Sequence, residues 1–151
     1  MTNEEIDNLE AGRALDALVA ERVMGFIWRV SKVSGRRCLI SPDYCPAWFV
    51  DVANGSEPLA DQWDTRLPNY STDIAAAWQV VEKLRSFSLS RHLDGSWHCW
   101  HWNKGHLNAN AATPALAICL AALKARAESP PLEARIAKAC DKVLDGLEET
   151  R

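Results

Sequence analysis

The chain lacks the features by which membrane proteins, disulfide-rich proteins and the commonest enzymes are recognised. No window approaches the ~20 apolar residues that span a bilayer, and the N-terminus is acidic with no apolar run. Phosphate-binding Gly-rich loops, zinc-protease motifs, serine-hydrolase elbows and paired Cys-x-x-Cys motifs are absent. The five cysteines are odd in number and scattered, which favours free thiols in a reducing compartment. We therefore expect a cytoplasmic protein with no membrane anchor, and the absence of enzyme motifs favours a non-catalytic role.

Strong charge of either sign is also lacking. The 151 residues carry a formal net charge of −3, with 48% hydrophobic and 25% charged residues. This composition is close to the globular average, and it does not predict bulk binding to nucleic acid or anionic lipid. The length suits one domain with a sizeable core.

The apolar periodicity predicts an α+β domain over residues 1–128. A capping box at Thr2–Glu5 opens one helix that continues to Gly25, and β-prone runs on both sides of Ser34-Gly35 predict a hairpin. A proline-rich segment over residues 41–69 is either a functional lid or an irregular packed region. The expected order is α-β-β-α-β-β-α, with an antiparallel sheet of two hairpins layered with helices.

The second half of this domain has clearer signals. Ser71 or Thr72 is expected to cap a helix, and Asp94-Gly95 predicts a tight hairpin turn between residues 87–93 and 96–102. Thr113-Pro114 predicts the start of an alanine-rich helix.

Residues 129–151 predict a separate C-terminal amphipathic helix. Its apolar positions recur at three- or four-residue steps: Leu132, Ile136, Cys140, Val143 and Leu147. An isolated helix is marginal unless this stripe is buried. It therefore docks either on the domain or on a second copy of the chain, which makes a homodimer one of the two expectations.

The two faces of the second hairpin differ in chemistry. A two-residue turn at Asp94-Gly95 places Phe87, Leu89, Arg91, Leu93, His98, Trp100 and Trp102 on the face expected to be core. The other face then carries Ser88, Ser90, His92, Trp97, Cys99 and His101. That mixture suits stacking of a planar ring and hydrogen bonding to its edge, although a sheet face covered by a helix is the alternative. Because His98 lies opposite Cys99 and His101, no metal site is predicted.

The first hairpin is locally basic. Between Arg22 and Pro42 there is no acidic residue, and the basic candidates for phosphate contacts are Arg29, Lys32, Arg36 and Arg37. A solvated hairpin tip is the alternative. Of the seven tryptophans, Trp78, Trp100 and Trp102 are expected to be structural, whereas Trp48, Trp63 and Trp97 are candidates for ligand contacts.

Three blocks of sequence form a recognisable signature. They are residues 6–13 continuing to Val23-Met24-Gly25, residues 70–78 (Tyr70 to Trp78), and residues 117–125. In order and content these blocks resemble the phage ABA-sandwich domain family over residues 1–127. The resemblance implies an antiparallel sheet layered with helices, and it implies no general activity, cofactor or catalytic residue set.

The leading functional hypothesis is a non-catalytic phage protein that captures a small nucleotide-like ligand, such as a host defence signal. The runner-up is a protein-interaction module that binds a host or phage protein through the 41–69 segment or the final helix. A third hypothesis is a hydrolase that uses Cys99 or a histidine of the second hairpin. No cofactor is expected in any of the three.

Overall fold

A computed structural model describes residues 1–33, 35, 37–41, 43, 49–51, 67–84, 86–102 and 106–127. The helices are α1 (Asn3–Asp7), α2 (Arg13–Arg22), α3 (Ile74–Val81) and α4 (Pro114–Ala127). The strands are β1 (Ile27–Ser31), β2 (Arg37–Ile40), β3 (Phe49–Asp51), β4 (Phe87–Arg91), β5 (Trp97–Trp102) and β6 (His106–Ala111). The α+β class is confirmed. In this part of the chain no helix is both long and apolar enough to cross a membrane.

The strands form two antiparallel sheets of three strands each. The first sheet has the order β2-β1-β3 and the second the order β4-β5-β6. Both hairpins predicted from the sequence are present. The strand β6 was not predicted, because its alternating Asn and Ala residues have low β-propensity. It forms because it pairs along β5 and packs against α4.

The predicted single N-terminal helix is wrong, since the structure has two helices. The capping box is present as predicted: Thr2 Oγ1 accepts from the Glu5 N–H, and the Glu5 carboxylate accepts from the Thr2 N–H at 2.6 Å. The chain then turns before Gly12, which is the N-cap of α2 with φ of 153°. Side-chain-bearing residues rarely adopt this conformation, so glycine is suited to the break.

Helix α4 is the centre of the domain. It contacts α1, α2, α3, β5 and β6, and all residues from Ala117 to Ala125 are buried. Its many alanines permit neighbours to approach from every side. The buried charge on α4 is Lys124, whose Nζ lies 2.6 Å from Asp7 Oδ1 and donates to the Asn108 carbonyl at 2.7 Å. Lys124 therefore joins α4 to both α1 and β6.

The hairpin turn between β4 and β5 is one residue longer than predicted. His92 N–H donates to the Ser96 carbonyl at 2.8 Å, which leaves Leu93, Asp94 and Gly95 as a three-residue loop. Gly95 has φ of 88°, as such loops require, and Asp94 Oδ1 accepts from the Ser96 N–H at 2.9 Å. Because strand side chains alternate between faces, this one-residue difference reverses the face on which every β5 side chain lies.

The predicted C-terminal helix and its homodimer contact lie outside the described residues, as does most of the 41–69 segment. Both the helix and the dimer stay predictions.

Candidate functional site

The second sheet has one side packed against α4 and one side turned away from it. The inner face is formed by Leu89, Trp97, Cys99, His101 and Ala109. Cys99 and Ala109 belong to the hydrophobic core, Leu89 and Trp97 pack against it, and His101 is buried. The outer face is formed by the alternate positions of the same strands: Ser88, Ser90, His98, Trp100, Asn108 and Asn110.

The predicted ligand face is therefore divided between the two sides. Ser88 and Ser90 are exposed on the outer face, and His92 is exposed just beyond the strand. Trp97 instead packs against the core, and Cys99 and His101 are buried on the inner face. The physical reason is the longer turn, which shifts β5 by one residue against β4.

The tryptophan assignments reverse accordingly. Trp100, expected in the core, is 42% exposed on the outer face, and Trp78, also expected to be structural, is 49% exposed on α3. The Trp78 ring retains an edge contact with Phe87, with ring centroids 5.6 Å apart. The side chain of Trp102 lies outside the described part of the chain. Trp97 is thus the packed residue, and Trp100 presents an indole for contacts.

Two rows of side chains cross the outer face. Ser88, Trp100 and Asn108 occupy paired positions on the three strands, and Ser90, His98 and Asn110 form the next row. Each row has an aromatic ring on the central strand, with a hydroxyl on one side and an amide on the other. Such a surface can stack a flat ring and both donate to and accept from its edge.

The central rings of the outer face contact each other. The Trp100 indole N–H donates to His98 Nδ1, with ring centroids 5.0 Å apart and planes at 66°. The His92 ring lies 5.3 Å from that of His98. Burial, followed by the nearby His92, lowers the pKa of His98. His98 is consequently a neutral imidazole that accepts at Nδ1 and carries its proton on the buried Nε2.

The basic residues of the first hairpin belong to the first sheet, whereas these rings belong to the second. Arg29 pairs with Cys38 and Val30 pairs with Arg37, so Arg29 and Arg37 lie at adjacent register positions and on opposite faces of the first sheet. Lys32 is exposed just after β1. The predicted contacts Arg36, Trp48 and Trp63 lie outside the described residues. The structure thus divides the predicted phosphate site between the two faces of a different sheet.

The buried inner-face thiol of Cys99 and imidazole of His101 are unsuited to act on a substrate that arrives from solvent. Cys99 is fully buried, and that burial raises the pKa of its thiol to about 12. A protonated thiol in the core is not a nucleophile. His101 is 8% exposed, and burial lowers its pKa. Among the described residues no group of three or more His, Cys, Asp or Glu could hold a metal. The side chain of His98 lies on the opposite face of the sheet from those of Cys99 and His101, as the alternation along β5 predicts.

Sequence reasoning missed Trp100, Asn108 and Asn110 as candidate contacts. The signal that could have found Trp100 is Ser96, which follows Asp94-Gly95 and closes an Asp-based turn through its N–H and hydroxyl. Asn108 and Asn110 alternate with Ala109 and Ala111, which is a period-two pattern of polar and small residues. Their β6 strand was overlooked because Asn and Ala, which make up most of it, have low β-propensity.

The first two signature blocks meet in a buried network. Asp16 Oδ1 accepts from the Ser71 N–H at 2.8 Å and from the Ser71 hydroxyl at 2.7 Å. The Gly12 N–H donates to Ser71 Oγ at 2.9 Å, and Arg13 donates to the Leu67 carbonyl at 2.6 Å. Asp16 and Ser71 are both almost fully buried. The signature residues therefore join the start of α2 to the segment before α3, and their role is structural.

The comparisons with known proteins agree with this fold. The family model described as the phage ABA sandwich domain matches residues 17–123. The chain belongs to this family and is a phage protein with an ABA sandwich domain. A solved structure of a phage protein from Bacillus cereus ATCC 14579 is similar, with 22% sequence identity and a TM-score of 0.52. The alignment covers 78% of this chain and 93% of that one, and at this identity it shows the fold alone. No curated protein matches the chain.

Proposed function

We propose that this phage protein is a non-catalytic binding protein that captures a small nucleotide-derived ligand on the outer face of its second sheet. The observation that carries the proposal is Trp100, a 42% exposed indole in the middle of a sheet, flanked by Ser88 and Asn108. Nucleobases offer both a flat face for the indole and a polar edge for the flanking groups.

Binding without turnover is what the outer-face groups favour. Its described side chains are hydroxyls, amides, one indole and one imidazole, and the imidazole Nδ1 is already occupied by the Trp100 N–H. Such groups orient a ligand through hydrogen bonds. A phage protein that holds its ligand stoichiometrically in the host cytoplasm would lower the free concentration of a nucleotide-derived defence signal, which is the biological role that we propose.

The test compares two tryptophans of similar exposure. Calorimetry against a panel of cyclic and ADP-ribose-derived nucleotides is expected to find a ligand that binds at micromolar levels. Trp100→Ala should weaken it by about fivefold or more, because base–indole stacking is worth about 1–3 kcal/mol. Trp78→Ala, on α3 and off the outer face, should leave affinity unchanged. Absence of binding to every member of the panel would overturn the proposal.

A second candidate is a protein-interaction module. Ile74 and Trp78 lie one helical turn apart on α3 and are 44% and 49% exposed, so they form an apolar ridge on the surface. Protein interfaces are enriched in such aromatic anchors. A double variant Ile74→Ser, Trp78→Ser should abolish recovery of a stoichiometric phage or host protein from infected-cell lysate, whereas Trp100→Ala should retain it. Equal recovery with both variants would exclude this ridge.

A further inference from the structure

We infer that the outer face recognises an uncharged ring, so that a nucleoside without any phosphate fills the site. The inference rests on the proposed function, and it names the part of the ligand that is bound. It departs from the expectation based on sequence, in which arginines of the first hairpin held the phosphates.

The charge of the outer face favours a neutral ligand. The six outer-face residues include no Asp, Glu, Lys or Arg. His98 is held neutral because its Nδ1 accepts the Trp100 N–H, and protonation there would break that hydrogen bond. Arg91 pairs with Trp97 and therefore belongs to the inner-face register. A phosphate placed over the Trp100 row would lose its hydration without gaining a Lys or Arg partner among the six outer-face residues, which is costly. The imidazole of His92 lies beside the His98 row, 5.3 Å from the His98 ring.

The hydrogen-bonding groups of the outer face match the edge of a nucleobase. Asn108 and Asn110 are exposed, and each amide offers both donors and an acceptor. Ser88 and Ser90, on the far side of the aromatic rings, are also exposed and can donate or accept. Nucleobase edges carry neighbouring donors and acceptors, which amides match in pairs. Neutral groups of this kind complement a base and sugar better than they complement an anion.

The dimensions of the two rows of the outer face fit a nucleoside. Adjacent strands lie about 4.8 Å apart, so the backbone at Ser88 and at Asn108 is separated by roughly 10 Å. The two rows are two residues apart along β5, which is roughly 7 Å. The platform therefore has room for one ring system with its sugar.

The experiment measures the affinity of the full chain for adenosine, guanosine, cytidine and uridine and for their 5′-phosphates. At least one nucleoside is expected to bind within about threefold of its monophosphate. Because no counterions are released at a neutral site, this affinity should hardly change between about 50 mM and about 500 mM salt. Trp100→Ala should weaken nucleoside and nucleotide equally.

A gain-of-function variant locates the ring. Ser88→Lys places a cation in the Trp100 row, so it should strengthen the monophosphate severalfold over the nucleoside and make that preference salt-dependent. Lys32→Ala, in the first hairpin, is the matched control and should change neither affinity. If nucleotides bind and nucleosides do not, with affinity falling as salt rises, the inference is wrong while the proposed function stands. If neither binds, both are wrong.

Discussion

The inner and outer faces of the second sheet are built from the same three strands, yet they have opposite fates. Cys99 and Ala109 are buried against α4, whereas their chain neighbours Trp100 and Asn108 are exposed. Cys99 and Ala109 are small, and β5 and β6 pack against α4 at these positions. The outer residues include a large ring and polar side chains that no packing demand explains. Packing against α4 therefore constrains one side of this sheet, whereas the other side is free of that constraint.

The two faces should respond very differently to the same added charge. Cys99→Asp buries an unpaired carboxylate and should reduce the free energy of unfolding by about 3–5 kcal/mol. Trp100→Asp, one residue along the same strand, should cost about 1 kcal/mol because its side chain stays in water. Urea denaturation followed by circular dichroism measures both. Equal losses for the two variants would show that Trp100 is packed as tightly as Cys99.

A smaller effect is expected from pH. Burial lowers the pKa of His101, so the unfolded chain binds a proton more readily than the folded one as pH falls below the ordinary histidine value of about 6.5. Stability should thus fall from pH 7.5 to pH 5, and the midpoint of thermal unfolding reports it.

His101→Gln should make this pH profile flatter, because glutamine does not titrate. Asn110→Gln, an exposed change on the same sheet that removes no titrating group, is the control and should retain the slope. A profile that His101→Gln leaves unchanged would mean that another group causes the loss.

The smallest expected effect is confined to the outer face. As pH falls through the lowered pKa of His98, protonation at Nδ1 removes the acceptor of the Trp100 N–H. The indole emission should change without unfolding, and the change should be absent from Trp100→Phe and from His98→Gln. A fluorescence transition that persists in both variants would belong to a different tryptophan.

Much of the fold could be predicted because its signals are local. Thr2 and Glu5 form the predicted capping box, and Thr113 Oγ1 accepts from the Leu116 N–H at the start of α4. The N-cap of α3 was predicted at Ser71 or Thr72, one or two residues before the observed N-cap, Asp73. These features depend on side chains within one helical turn of each other, which the sequence displays directly.

The candidate site could not be predicted because it depends on a single residue of register. Asp94-Gly95 fits a two-residue turn as well as a three-residue one, and only the pairing of His92 with Ser96 decides between them. That choice exchanges Trp97 with Trp100. The break at Gly12 is similar. The apolar residues around Gly12 continue at helical spacing, but the hydrogen bond from the Gly12 N–H to Ser71, 59 residues away in the sequence, favours the turn.

The central position of α4 has a consequence for synthesis of the chain. The other described helices, together with β5 and β6, pack on an element that begins at Pro114, so these parts leave the ribosome before their common partner exists. At about 5–20 residues per second, α1 and α2 wait roughly 5–20 seconds for α4, and the second sheet waits a few seconds. During that interval the inner face of the second sheet and the apolar sides of α2 and α3 lack their contacts with α4. The nascent chain should therefore be a substrate for ribosome-associated chaperones, and it should mature abruptly once residue 127 has emerged.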